Sequence, residues 1–273
     1  MNNLHKFDIY KRTVDASYIA SCATNYLQLL TSTAFDPSKV DSDPRFSDVG
    51  FSSSKLKELI KKYSTPSRKT TTKKDDIYRS DLGELIMISF FEKTLKSKYP
   101  NEENFIIPIK NIATRENIDM PARGLDVVGY RNGETINLLL GEAKVSEERN
   151  SPPKVVDKNK DSLYETHTKH RTDKEYLLKK LMTVARKLSY EHSNPFLQVI
   201  GHIEDNQFDK FKIVYGCCLV RDSHCHKPTD FGKMKSSVSE FEPNSVHFLI
   251  VSFDKSITET VDAFHKKVIE LSN

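Results

Sequence analysis

Apolar positions recur at helical spacing along residues 15–32 (DASYIASCATNYLQLLTS) and again along 53–63 (SSKLKELIKKY), which predicts two helices in the leading third of the chain. The stretch between them, FDPSKVDSDPRFSDVG, is rich in turn residues, and STPSRKTTTKKDD, which follows, reads as a polar, basic connection. A longer helix is predicted over 80–98. Asp81 stands at its start with Glu84 three positions on, the pattern of a capping box. Residues 103–110, 124–131 and 135–144 read as three strands, the last two joined around Asn132-Gly133, a hairpin signal. Residues 146–161 form a loop, and 172–192 an amphipathic helix with Leu177, Leu181, Ala185 and Leu188 on one stripe. Residues 211–222 and 246–254 are apolar with little alternation, which predicts strands buried on both faces, and 256–272 closes the chain as a helix. The expected architecture is α/β, a mixed central sheet flanked by helices, with residues 1–75 as a helical N-terminal accessory region and basic linker.

Composition adds little to this picture. Lys and Arg number 42 against 38 Asp and Glu, and a net charge of +4 does not by itself announce a nucleic-acid binder. The four cysteines match no disulfide framework, the first residues carry no apolar signal core, and no apolar run reaches the ~20 residues that cross a bilayer. The expectation is a cytoplasmic protein with no membrane association.

Candidate chemistry lies in GLDVVGYRNGETINLLLGEAK, residues 124–144. Asp126, Glu142 and Lys144 are charged positions in otherwise apolar strands, where an unpaired charge is costly. Glu142 and Lys144 are two apart and share one strand face. Two carboxylates suit Mg²⁺ as hard oxygen ligands, and a lysine beside them would stabilise charge on a phosphate. The site imposes a register. A two-residue loop at Asn132-Gly133 would set Asp126 opposite Leu139, on the wrong face. A wider loop, with Tyr130 opposite Ile136, sets Asp126 across from Leu140 on the right face, and a β-bulge would also repair the parity. The chemistry therefore predicts a wider loop or a bulge.

A helix with an inner glutamate, a strand, an Asp-bearing strand, a Glu-x-Lys strand and a further helix resemble the PD-(D/E)xK nuclease superfamily, with its restriction-endonuclease-like αβββαβ core. GLD stands where that pattern has Pro-Asp. More narrowly, RSDLGELI, GLDVVGY and LLLGEAK are similar to HamA, the nuclease subunit of the Hachiman anti-phage defence system. The resemblance implies a nuclease-like domain over 76–273 and Mg²⁺ (or Mn²⁺) held by Asp126 and Glu142. It further implies that Glu84 completes the metal site and that Lys144 is the catalytic lysine. It also implies a DNase paired with a helicase subunit, HamB, held in check by that partner and released when phage DNA is sensed. For Glu84 the capping box is the competing reading, and for Asp126 a buried aspartate satisfied by backbone donors.

Basic residues crowd Lys55 to Lys74, either as a solvated face or as phosphate or helicase contacts. Lys174, Lys179 and Lys180 lie on the polar side of the 172–192 helix and are candidates for contact with the DNA backbone. His167, His170 and Arg171, just before it, are candidates to reach a phosphate. Cys217, Cys218, His224, Cys225 and His226 invite a zinc reading, but their spacing matches no zinc knuckle, and neighbouring strand residues point to opposite faces. The alternative function on the same fold is a non-catalytic module that docks nucleic acid or a helicase.

Overall fold

The computed structural model describes residues 4–33, 35–47, 49–66, 75–114 and 125–272. Its elements run β1 (Lys6–Arg12), α1 (Ala16–Leu30), α2 (Ser53–Ser64), α3 (Asp75–Ser89), β2 (Ile106–Lys110), β3 (Val127–Arg131) and β4 (Ile136–Val145). They continue with α4 (Leu163–Thr172), α5 (Lys174–Ala185), α6 (Tyr190–Glu204), β5 (Phe211–Asp222), β6 (Ser245–Phe253) and α7 (Ile257–Ser272), with short helical turns between. Among the described residues the strands form a six-stranded sheet in the order β1-β6-β5-β4-β3-β2. The run β1, β6, β5, β4 is parallel, whereas β3 and β2 are antiparallel. The sheet is therefore mixed and flanked by helices, as the patterning predicts.

Period-two alternation divides the side chains between two cores. Val127, Leu139, Ala143, Val214, Cys218 and Leu249 face one side, which α1, α3 and α7 cover. Leu138, Leu140, Tyr215, Cys217 and Phe248 face the other, covered by α4, α5 and α6. Because β4, β5 and β6 are packed on both faces, they read in sequence as largely apolar stretches with little alternation.

Several boundaries differ from the sequence expectation. Strand β1 was not foreseen. KFDIYKR is mostly half-buried at the sheet edge, so its pattern is too mixed to signal a strand. It pairs with β6, and α1 contributes Ile19, Ala23 and Tyr26 to the same core as α3 and α7. Helix α3 is already formed at Asp75, the first described residue of this stretch, rather than beginning at Asp81. Asp81 and Glu84 are thus interior residues of the helix and form no capping box. The helix expected over 172–192 is shorter, α5 alone, with α4 ending at Thr172 before it and α6 starting at Tyr190 after it. Asp173 separates α4 from α5 and caps α5 by accepting from the Tyr176 N–H at 2.9 Å. Among the described residues no helix is long and apolar enough to cross a membrane. Arg68, Lys69, Lys73 and Lys74 of the basic stretch lie outside the described residues.

A candidate active site where β3 and β4 meet

The β3–β4 ladder pairs Tyr130 with Leu138 and Val127 with Gly141. One step beyond its end, Asp126 stands opposite Glu142. The connection after Arg131↔Asn137 spans residues 132–136, so the hairpin takes the wide loop, with unbroken register and no bulge in the ladder. The parity is the one that the chemistry required. The pairing is shifted two residues from Tyr130 opposite Ile136, which brings the carboxylate directly across from Glu142 rather than Leu140. Gly141 makes this close approach possible, because Val127 Cγ2 and Met87 Sδ occupy the space where a Cβ would be.

Asp126 and Glu142 are both buried, and both face the side covered by α4 to α6. Asp126 accepts the Ala143 N–H at 2.7 Å, while its own carbonyl accepts from the Asn111 N–H at 2.9 Å. The Lys144 ammonium lies 3.0 Å from Glu142 and 3.5 Å from the exposed Asp161. Burial holds the Asp126 carboxyl well above the usual carboxylate range, and the neighbouring charge of Glu142 adds to the effect. Burial likewise raises Glu142, against the pull of Lys144 and, from α5, of Lys180. Burial opposes the Lys144 charge, but Glu142, Asp161 and Asp126 outweigh it, so the ammonium is held more firmly protonated than an ordinary lysine.

Glu84 and Asp81 approach from α3, on the other side of the sheet, and both are buried. Glu84 accepts the Ile112 N–H at 2.9 Å, just past the end of β2. Asp81 accepts the Tyr26 hydroxyl at 2.8 Å, and its charge also raises the Asp126 carboxyl. The structure thus brings Asp126, Glu142 and Lys144 together, while Glu84 holds the backbone beside them. Among the described residues no three His, Cys, Asp or Glu side chains converge as a metal-binding group. The donor set still fits a hard divalent cation. Two facing carboxylates, whose ionisation burial opposes despite the neighbouring Lys144 ammonium, match the one or two carboxylates that Mg²⁺ takes alongside its waters.

The cations expected to meet DNA are differently placed. Lys180 lies close enough for its charge to act on Glu142. Lys179 is exposed and paired with Glu175. Lys174 reaches Asn206 at 3.1 Å, and Arg171 is tied to Glu240 at 3.1 Å. His167 and His170 are not loop residues but buried members of α4, and His167 Nε2 lies 3.2 Å from the Gly216 carbonyl oxygen. Of the zinc candidates, Cys217 and Cys218 belong to opposite cores, Cys225 donates to the Glu147 carbonyl, and His226 lies 3.2 Å from Asp230. Sequence reasoning missed Asp161 and Asp81. Asp81 stands one helical turn before Glu84, a spacing that places both on one helix face.

No curated protein and no solved structure matches the chain. A family model described as HamA matches residues 2–268. That match covers nearly the whole chain, β1 and α7 included, and the chain therefore belongs to the HamA family, the Hachiman defence component.

Proposed function

We propose that this chain is a metal-dependent DNA nuclease, the effector of a Hachiman anti-phage defence complex that includes a helicase partner. One observation carries the reading: Asp126 and Glu142 face each other across β3 and β4, with Lys144 on the same face. Asp126 and Glu142 would hold Mg²⁺ or Mn²⁺, and the bound ion would polarise a phosphodiester and acidify a water. Lys144 stays charged and offers its ammonium to negative charge developing on the phosphate. Glu142 keeps that ammonium aimed. The Ala143 N–H fixes one Asp126 oxygen and leaves the other for a ligand. Glu84 acts from behind by holding the Ile112 backbone at the end of β2. Lys180, whose charge already reaches Glu142, is the cation best placed to meet the DNA backbone beside the cleft.

The test is degradation of plasmid DNA by the purified chain with Mg²⁺ or Mn²⁺, alongside direct Mn²⁺ titration read by electron paramagnetic resonance. Cleavage that disappears in Lys144→Ala and Asp126→Ala, with Mn²⁺ binding lost only in the latter, supports the proposal. A chain that binds its helicase but neither binds Mn²⁺ nor cuts DNA would instead be a docking module.

A further inference from the structure

A second concave site lies at the opposite end of the sheet. It forms where the parallel strands begin, about 16 Å along β4 from Glu142, and it opens on the other face. Five strands contribute to its floor, among their residues Lys6 from β1, His247 from β6, Lys212 from β5, Asn137 from β4 and Arg131 from β3. The ladders place all five on one face, since Lys6 pairs with His247, Lys212 with Asn137 and Asn137 with Arg131, while Gly216, four residues after Lys212, pairs with His247. Lys98 and Tyr99 form a wall, and the cavity measures about 560 Å³, within the usual range for small-ligand sites.

The charges are unbalanced. Lys6, Lys98, Arg131 and Lys212 line the cavity against only two carboxylates, Asp8 and Glu102. Glu102 is shared between Lys6 and Arg131, the latter at 2.7 Å. Asp8 accepts from Lys98 at 2.8 Å and from the Tyr99 hydroxyl at 2.7 Å. Lys212 has no ion-pair partner among the described residues. His247 is 4% exposed, and its Nδ1 carries no hydrogen-bond partner in the described structure. The crowding is costly to the cations themselves. Burial and then Arg131 pull the Lys6 ammonium down to about 8, and burial, Lys6 and Arg131 hold His247 neutral. An anion seated among them would reverse these effects.

We propose that this pocket is a second binding site, separate from the carboxylate site, that takes a phosphate-bearing small molecule. The choice of a small molecule over a nucleic-acid strand follows from shape, because the cations converge on a single half-open hollow at the end of the sheet rather than running along a groove that tracks a backbone. The inference stands independently of the nuclease reading.

The experiment is isothermal titration of the full chain with inorganic pyrophosphate and, separately, adenosine monophosphate, at fixed ionic strength and pH 7. One equivalent is expected to bind, with Kd raised at least tenfold by Lys212→Met and by Lys6→Met but unchanged in Lys144→Ala. Circular dichroism verifies that each variant is folded, and Lys212→Met removes no ion pair on which the fold depends. Equal affinity for the two probes identifies free phosphate chemistry, and tighter adenosine monophosphate a nucleotide; either supports the site. Absence of saturable binding, indifference to both the Lys212 and Lys6 changes, or loss on Lys144→Ala overturns it. So would an oligodeoxynucleotide that binds through Lys212 when neither small probe does.

Discussion

Lys144 holds its ammonium 3.0 Å from the Glu142 carboxylate, two residues away on one face of β4. The pair separates metal binding from charge stabilisation. Lys144→Met keeps the packing stem and removes the charge, so DNA cleavage should fall about 100-fold or more, the usual cost of losing a donor to a developing anion. Mn²⁺ affinity should remain within a few fold of the parent. Cleavage within tenfold of the parent would remove Lys144 from the chemistry.

Asp126→Asn should divide stability from function. Asparagine keeps an oxygen for the Ala143 N–H but removes a carboxyl whose ionised form is disfavoured by burial and by Glu142. Because the folded carboxyl resists ionisation, the parent loses stability as pH rises above the ordinary carboxylate range. The metal-free variant should therefore gain stability relative to the parent as pH rises from 5 to 8. Thermal unfolding in EDTA at pH 5 and pH 8 measures this, and Mn²⁺ titration should show binding abolished.

Gly141→Ala tests the close approach of the ladder. The added methyl group meets Val127 Cγ2 well inside contact distance and Met87 Sδ at 3.1 Å. Overpacking of this kind costs about 1–3 kcal/mol and would push β3 away from β4 beside Glu142. Both the melting temperature and cleavage should fall, and the paired change Gly141→Ala/Val127→Ala should recover part of each.

The buried histidines of α4 predict an acid limit. Burial, joined by His170, lowers His167 to about 3, and burial lowers His170 to about 4, from an ordinary value of 6.5. An unfolded chain binds these protons between 6.5 and the folded values, so stability present above pH 6.5 drains away as pH falls through that window. Each histidine contributes about 2 kcal/mol of loss between pH 6.5 and 5. The raised carboxyls of Asp126 and Glu142 act in the opposite direction, so the comparison is between variants. His170→Leu, which removes one of these buried imidazoles, should lose less stability than the parent between pH 7.5 and pH 5. Equal losses would contradict the assignment.

Much of the fold was legible along the chain, and particular residues show why. The apolar runs of β4, β5 and β6 announce strands packed on both faces, and Asp15 and Ser52 mark helix starts with side chains that accept from the first turn. β1 escaped because an edge strand needs only one buried flank, and KFDIYKR therefore carries no clean alternation. Asp81 and Glu84 imitate a capping box because a helix start and a buried polar row can share one spacing. That the helix already runs from before Asp81 becomes visible only when α3 is packed on β4.

The candidate site divides in the same way. Sequence alone determined the residue types and their parity: Glu142 and Lys144 must share a face because a strand alternates, and Asp126 could join them only through a wide loop or a bulge. Tertiary structure decided which of these occurred, placed Asp126 opposite Glu142 and set Glu84 on the Ile112 backbone. It also buried His167 and His170 and gathered Lys6, Arg131, Lys212 and His247 around one cavity. The physical reason is that periodicity is a local property of the backbone. Register, burial and the meeting of charges from distant strands depend on which surfaces pack together, and those contacts exist only in the folded chain.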